Sequence, residues 1–212
     1  MTTNPPLSAL KSLRDRHLPF GRNQVKRTIL VFGLISGAIS SFLMIASVPF
    51  MNRTGFDHGY LLGYTTIVLS LMLTFFGVRS YRDKVGKGHI TFGRAFLVGL
   101  AITVISCVFY VVTWEVIYYN FMPDFMDKYG AHVIQKMQTS GASAAAIQQK
   151  SEEINKLKVM YKNPLFNVAM TFIEPFPVGL VITLLSAAIL RKKSPPQPAV
   201  AVQDRFASPS TP

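Results

Sequence analysis

The sequence predicts an all-α fold: an integral membrane four-helix bundle with a helical extracytoplasmic segment between spans three and four. Four apolar stretches, at residues 28–50, 59–78, 92–119 and 165–190, are each long enough to cross a hydrocarbon core of about 30 Å as a helix. Charged residues make up 15% of the chain, against about 25% in soluble domains. Basic residues gather beside alternate connections. Together these observations indicate one membrane domain, spanning residues 28–193.

The first stretch follows a basic segment, residues 1–27, which we expect to form a cytoplasmic tail. A cleaved signal peptide is the competing interpretation, because a basic leader also precedes the apolar core of such peptides. The run is about 23 residues long, however, and a signal core has 7–15. We therefore interpret this stretch as a retained span.

The second and third stretches form a hairpin around a short basic turn. The second stretch contains no charged residue, and the third contains only Arg94 at its start and Glu115 near its far end. Gly86 and Gly88 lie in the turn that joins them. We expect Glu115 to reach headgroup water from the end of its helix, close to Trp114, and to be a second site acid only if it faces Glu174.

The segment at residues 121–164 is predicted to be helical. Apolar and small residues recur at three- and four-residue steps, at Ala144, Ile147, Ser151, Ile154, Leu157 and Tyr161. Gly141 separates this helix from a weaker one before it, and Asn163 followed by Pro164 predicts its end. The segment is either a cap lying on the bundle or lipid surface, or a face that binds a partner or ligand.

The fourth stretch carries the most informative single residue, Glu174, about nine residues from its start. A carboxyl at that depth costs on the order of 2.5–3.5 kcal/mol to insert, and Pro175 and Pro177 predict a bend or break beside it. Tyr110 is one candidate hydrogen-bond partner by depth, with Tyr64, Thr65 and Asn167. Two interpretations stay open: a neutral acid that locks the packing, and a transport or binding site. The tail at 194–212 is rich in proline, and we expect it to be disordered and cytoplasmic.

The net charge of +12 is distributed as in an inner-membrane protein. Fifteen basic residues and three acids lie before the first span, between spans two and three, and after span four, if Arg94 at the start of span three is counted with the second group. This bias predicts that both termini face the cytoplasm of a bacterial inner membrane. It also predicts contact with anionic lipids at the inner face rather than with nucleic acid.

Small residues recur at four-residue spacing in three spans. The glycines of this pattern are Gly33 and Gly37, Gly59 and Gly63, and Gly179. Small residues let helix backbones approach closely in lipid, so packing within the chain is the first interpretation. Self-association, or association with another membrane protein, is the alternative.

No pattern in the chain predicts enzyme chemistry. The four histidines share no metal-ligand spacing, and no nucleophile elbow, phosphate loop or metalloprotease helix is present. The single cysteine, Cys107, lies inside the third stretch. We therefore expect no catalytic residue, metal or cofactor.

Several short motifs resemble those of a known family. They are Gly63 with Tyr64, residues 75–83, residues 90–96, Tyr110 with Trp114, residues 121–126, and Asn163 with Pro164. Together they resemble the bacterial membrane proteins of the domain-of-unknown-function family 4199 (DUF4199), seen mostly in Bacteroidota. The resemblance runs from about Val25 to Lys193. It implies a four-span membrane protein with no established activity, and it supplies no catalytic or ligand residues.

The function expected from the sequence is that of a multi-pass inner-membrane protein of unknown biochemical role, acting as a non-enzymatic structural or partner-binding component. The alternative is a small proton- or ion-coupled transporter, or a channel component, that uses Glu174.

Overall fold

Eight helices make up the part of the chain that the structure describes, residues 19–54 and 56–192 of a computed structural model. They are α1 (Pro19–Thr54), α2 (Phe56–Leu71), α3 (Leu73–Lys84), α4 (Phe92–Asn120), α5 (Phe125–Thr139), α6 (Ala144–Tyr161), α7 (Pro164–Ile173) and α8 (Pro175–Leu190). No β-strand occurs within those ranges, so the predicted all-α fold class is confirmed.

Four helical stretches are long and apolar enough to cross a membrane. The first span is Asn23–Pro49 in α1, the second is Leu61–Lys84 across α2 and α3, the third is Phe92–Asn120, which is α4, and the fourth is Pro164–Leu190 across α7 and α8. The sequence predicted four spans of this apolar character. The four spans identify the chain as a multi-pass membrane protein.

Two span boundaries differ from the expected ones. Residues 19–27, assigned to the tail, continue the first span as a helix that begins at Pro19. Proline fits the first turn of a helix, because the N–H groups there have no acceptor within the helix and none is lost. The next proline in α1 is Pro49. The second span continues past residue 78 to Lys84. The remaining tail residues, 1–18 and 193–212, lie outside the described part of the chain.

Burial in the spans is the reverse of that in a soluble protein. Large apolar side chains face outward, with Phe42 71% exposed, Leu97 65% and Ile189 68%. The fully buried positions include polar side chains, namely Ser36, Ser70, Thr74, Thr103, Asn167, Thr183 and Ser186. Because lipid tails are as apolar as leucine, an apolar surface around a partly polar interior suits a bilayer and would not suit water.

The first span packs along the third through a glycine face. A Cβ atom on Gly33 would lie 2.8 Å from Cγ2 of Ile105, and one on Gly37 would lie 2.7 Å from Cβ of Phe109. Both distances are shorter than van der Waals contact, so the two backbones approach as closely as they do because glycine occupies both positions. Gly33 and Gly37 therefore pack within the chain.

The third and fourth spans also meet through small residues. Gly179 lies directly against Thr103, and a Cβ on Gly99 would lie 2.9 Å from Cγ2 of Thr183. The hydroxyls of Thr103 and Thr183 are hydrogen-bonded at 3.1 Å, and both residues are fully buried. Close backbones and a satisfied polar pair thus join these two spans, together with the apolar cluster that contains Ile102 and Leu190.

Basic residues collect at one end of the bundle, which we call the basic end. Ile90, before the third span, and Lys192, after the fourth, exchange two backbone hydrogen bonds of 3.0 and 2.9 Å. Arg27 of α1 and Lys84 of α3 border one groove there. The segments that the sequence assigned to a single side of the membrane are therefore neighbours in the fold.

At the other end, α5 and α6 form a helical cap. Gly141, in the turn between them, has φ +75°, a conformation that suits glycine. The Ser143 hydroxyl accepts a hydrogen bond from the Ala146 N–H and caps α6. The ion pair of Lys158 with Asp127 connects the two helices. This is the helical segment that the sequence predicted, with the break where Gly141 placed it.

The cap rests on the end of the third span through aromatic contacts. Phe125 of α5 meets Trp114 edge-to-face, with ring centroids 4.9 Å apart. Tyr161 of α6 meets Tyr118, with centroids 6.3 Å apart. The segment forms a cap on the bundle, and the cap also encloses the space described next; a role in binding a partner or ligand stays a prediction.

Candidate functional site

Glu174 lies at the interruption between α7 and α8 in the fourth span. Pro175 and Pro177 occupy the first turn of α8, where missing N–H groups leave the helix that follows intact. They also remove the donors that would otherwise bond to the carbonyl oxygens of Thr171 and Ile173. The sequence thus builds a local break with a carboxyl group at its centre.

The carboxyl of Glu174 has one hydrogen-bond donor among the described residues, Tyr110 of the third span. The Tyr110 hydroxyl donates to Oε2 of Glu174 at 2.9 Å. Of the other candidates that share its depth, Thr65 donates to a carbonyl oxygen of its own helix, and Asn167 bonds to other side chains. Tyr64 lines the cavity on which Glu174 borders.

A cavity of about 380 Å³ lies between the spans and the helical cap, and we call it the Glu174 cavity. Residues from all four spans and from both cap helices line it. Glu174 is the only ionisable carboxyl, and there is no lysine, arginine or histidine, among the described lining residues. The arrangement is therefore a partly enclosed chamber with a single acidic group on its wall.

Aromatic side chains form a large part of that wall. Six of them come from the second and third spans and from both cap helices, namely Tyr64, Tyr110, Trp114, Phe125, Tyr129 and Tyr161. Burial, together with the nearby Glu174 carboxyl, raises the pKa of the Tyr161 phenol in the cap. From the sequence, Trp114 was placed near the far end of the third stretch and Tyr161 on the apolar side of the outer helix. Their shared membership of one wall depends on how the cap folds back.

Gly59 and Gly63 of α2 border the cavity. A Cβ atom built on Gly63 meets no other atom within 4 Å. This differs from the packing expected for small residues at four-residue spacing and seen at Gly33, Gly37 and Gly179. At Gly63 the missing side chain leaves open space.

A second layer of polar residues holds the indole of Trp114 in place. Its Nε1 donates to Oδ1 of Asn167 at 3.3 Å, and Thr171 donates to the same oxygen at 3.3 Å. Asn167 is fully buried. With Phe125 against its face, Trp114 is restrained from two sides, so this part of the wall is ordered before any ligand binds.

Comparison with known proteins identifies the family. The sequence profile of proteins described as "Protein of unknown function (DUF4199)" matches residues 31–192. This chain belongs to the DUF4199 family. No curated protein and no solved structure matches it. The match covers most of the first span, the other three spans and the cap, so the DUF4199 region contains the whole Glu174 cavity.

Glu115, the carboxyl near the far end of the third span of this DUF4199 protein, is not among the residues that line the cavity. It is half-buried, its Oε1 atom is covered, and none of the described residues donates a hydrogen bond to that atom. The expectation that this carboxyl reaches headgroup water stays a prediction. The cap packs on this end of the third span through the contact of Tyr161 with Tyr118.

The groove at the basic end is a second surface feature, with a volume of about 270 Å³. Arg27, Thr28, Ser80 and Lys84 border it together with apolar side chains. A basic groove with an apolar floor between spans suits an anionic lipid headgroup and its chains. Elsewhere in the described ranges, no three histidine, cysteine, aspartate or glutamate residues lie close enough together to hold a metal ion.

Proposed function

We propose that this DUF4199 protein is a non-enzymatic membrane protein that binds a ligand in the Glu174 cavity. The observation that carries the proposal is the position of the Glu174 carboxyl on the wall of a 380 Å³ chamber enclosed by four spans and a cap. Small-molecule sites are concave, largely apolar cavities of about 300–1,000 Å³ with a few convergent polar groups. This cavity has that size and that composition.

The hydroxyl groups on the wall support binding rather than catalysis. Ser47 and Thr66 donate to carbonyl oxygens of their own helices at 2.7 Å, and Thr171 donates to Asn167. An activated nucleophile needs a base within hydrogen-bond reach, and these hydroxyls are directed to backbone or amide acceptors instead. Glu174 itself accepts a hydrogen bond from the Tyr110 hydroxyl.

The test uses the single tryptophan of the chain, Trp114, as a reporter on the cavity wall. Purified protein in detergent is titrated with dansylcadaverine and, separately, with its uncharged analogue N-pentyl dansylamide, and energy transfer from Trp114 is recorded. We expect saturable transfer for at least one probe. Gly63→Leu adds a side chain at the cavity wall and should reduce the saturable signal at least about tenfold.

Gly93→Leu is the matched control. Gly93 also has no atom within 4 Å of a built Cβ, but it lies at the basic end and does not line the cavity. The control should bind the probe as the unmodified protein does. Absence of saturable transfer with both probes, or equal binding by the Gly63 and Gly93 variants, would rule out the cavity as a binding site.

Coupled proton or ion transport through the same site is the second candidate. It is favoured by the helix interruption at Glu174, where the prolines free the Thr171 and Ile173 carbonyl oxygens beside a titratable group. Proton flux into liposomes carrying the protein tests it. Transport predicts a flux that Glu174→Gln abolishes, and liposomes no more permeable than protein-free ones would exclude it.

We further propose that the protein lies in a bacterial cytoplasmic membrane with both termini inside. The gathering of the positively charged segments at one end of the bundle supports this orientation. Anionic lipids would then meet the basic groove. Gly33, Gly37 and Gly179 already pack within the chain, so self-association or contact with another membrane protein would use other surfaces.

A further inference from the structure

We propose that the Glu174 cavity selects an organic cation: an amine or quaternary ammonium group that carries apolar substituents. This inference rests on the proposed function, because it names the class of ligand that the same cavity would hold. It follows from three properties of the wall: its charge, its aromatic faces, and the small number of oxygen ligands that it could offer to a metal ion such as calcium or magnesium.

The charge on the described wall has one sign. Glu174 contributes the only carboxyl, and no cationic side chain accompanies it. Lys158 of the cap, which does not line the cavity, is paired with Asp127 on the cap surface. A positively charged ligand would therefore meet an acid that no described protein cation neutralises, whereas an anionic ligand would meet like charge.

The aromatic wall adds a second source of attraction for a cation. The faces of tyrosine, tryptophan and phenylalanine rings carry negative electrostatic potential, and rings that surround a cation are the usual site for alkylammonium groups. Here Tyr64, Trp114, Tyr129 and Tyr161 stand around one chamber with Glu174. Apolar substituents on the cation would be buried against the same rings, so one wall satisfies both parts of the ligand.

The remaining lining residues disfavour a bare metal ion. Calcium and magnesium ions take six or more oxygen ligands, including several carboxylates or carbonyls. The described wall offers a single carboxyl, which falls short of the several charged oxygens that such a site contains. Three methionine side chains, Met44, Met126 and Met170, line other parts of the cavity. Thioethers and aromatic rings suit a soft, partly apolar cation rather than a hard one.

The experiment compares three probes that share a fluorophore and differ in charge. They are dansylcadaverine, which is cationic, N-pentyl dansylamide, which is uncharged, and dansyl aminocaproate, which is anionic. Saturable energy transfer from Trp114 gives the affinity of each. We expect the cationic probe to bind at least about tenfold more tightly than the uncharged one, and the anionic probe to bind most weakly.

Two variants test whether the preference for the cationic probe comes from residues of the cavity wall. Glu174→Gln keeps the shape of the side chain and should bring the affinities for cationic and uncharged probes to within about twofold of each other. Tyr64→Leu removes one aromatic face, leaves the carboxyl in place, and should lower the cationic preference by a smaller factor. Glu115→Gln, which removes the carboxyl that does not line the cavity, should leave the preference unchanged.

The outcomes separate this inference from the function on which it rests. Equal affinity for the cationic and uncharged probes, with no effect of Glu174→Gln, would overturn the cationic ligand and leave ligand binding in the cavity standing. Two results would overturn both the cationic ligand and ligand binding in the cavity. One is saturable energy transfer that Gly63→Leu does not reduce, and the other is the absence of saturable transfer with all three probes. Should Glu174→Gln fail to fold, the Tyr64→Leu comparison decides, and an unchanged cationic preference there counts against the inference.

Discussion

The hydrogen bond from Tyr110 to Glu174 joins the third and fourth spans, and removing either partner should have unequal effects on stability. Glu174→Leu leaves the buried Tyr110 hydroxyl without its acceptor, which should lower the free energy of unfolding by about 1–3 kcal/mol. Tyr110→Phe removes the donor, but the carboxyl it leaves borders the cavity and keeps access to polar groups there. We expect a loss nearer 1 kcal/mol, within the range of about 0.6–1.7 kcal/mol measured for hydrogen bonds between membrane helices.

The conservative substitution Glu174→Gln separates stability from ligand recognition. The amide oxygen can still accept from Tyr110, and the side chain keeps its volume, so the loss should be below about 1 kcal/mol. The same variant should lose the preference for cationic probes, because only the charge has changed. A variant that is folded and binds, but no longer discriminates by charge, would place the role of Glu174 in recognition.

The assay is unfolding of the purified protein in mixed micelles of increasing denaturing-detergent content, followed by circular dichroism. The double variant Glu174→Leu with Tyr110→Phe should be destabilised by about 1 kcal/mol less than the sum of the two single effects, because removing both partners leaves no unsatisfied group. Additive effects would show that the two side chains are not energetically coupled. Equal destabilisation by Gln and Leu at position 174 would refute the hydrogen-bond argument.

Two further predictions test the packing and the orientation. Gly37→Leu would force a side chain into Phe109, whose Cβ lies 2.7 Å from the built position, and should cost about 1–3 kcal/mol in the same unfolding assay. The leucine of Gly63→Leu enters open space, so this variant should lose less than about 0.5 kcal/mol of unfolding free energy. Similar losses for the two variants would contradict the difference in packing between the two glycines. In a background without the native cysteine, Ala145→Cys on the cap should react with an impermeant thiol reagent on intact cells, and Thr91→Cys at the basic end should react only after lysis. The opposite labelling would reverse the proposed topology.

Much of the fold follows from short stretches of sequence. A segment in lipid must satisfy its backbone hydrogen bonds internally, so an apolar run of sufficient length predicts a helix at that place. Two further features are equally local. Gly141 provides the positive φ of the turn before α6, and the Asn163 side chain caps α7, which starts at Pro164. The extension of α1 back to Pro19 was missed, because basic residues end a span without ending its helix.

The candidate site was predictable only in part. Glu174 stood out because an acid within an apolar span is rare, and Tyr110 was among four partners suggested by depth. The difference between Gly37, which packs on Phe109, and Gly63, which borders a cavity, has no counterpart in their sequence pattern. Both glycines occur at four-residue spacing, and only the position of the neighbouring helix decides whether the space beside each is filled.

The sequence by itself determined the number of spans, their approximate limits, the two-helix cap and the placement of one acid at a helix break. These features arise from interactions between residues close along the chain and from the thickness of the bilayer. Only the tertiary structure decided that Trp114, Tyr161 and Glu174 share one cavity. The physical reason is that lipid and protein interior are similarly apolar, so hydropathy identifies a span without telling which of its faces meets another helix.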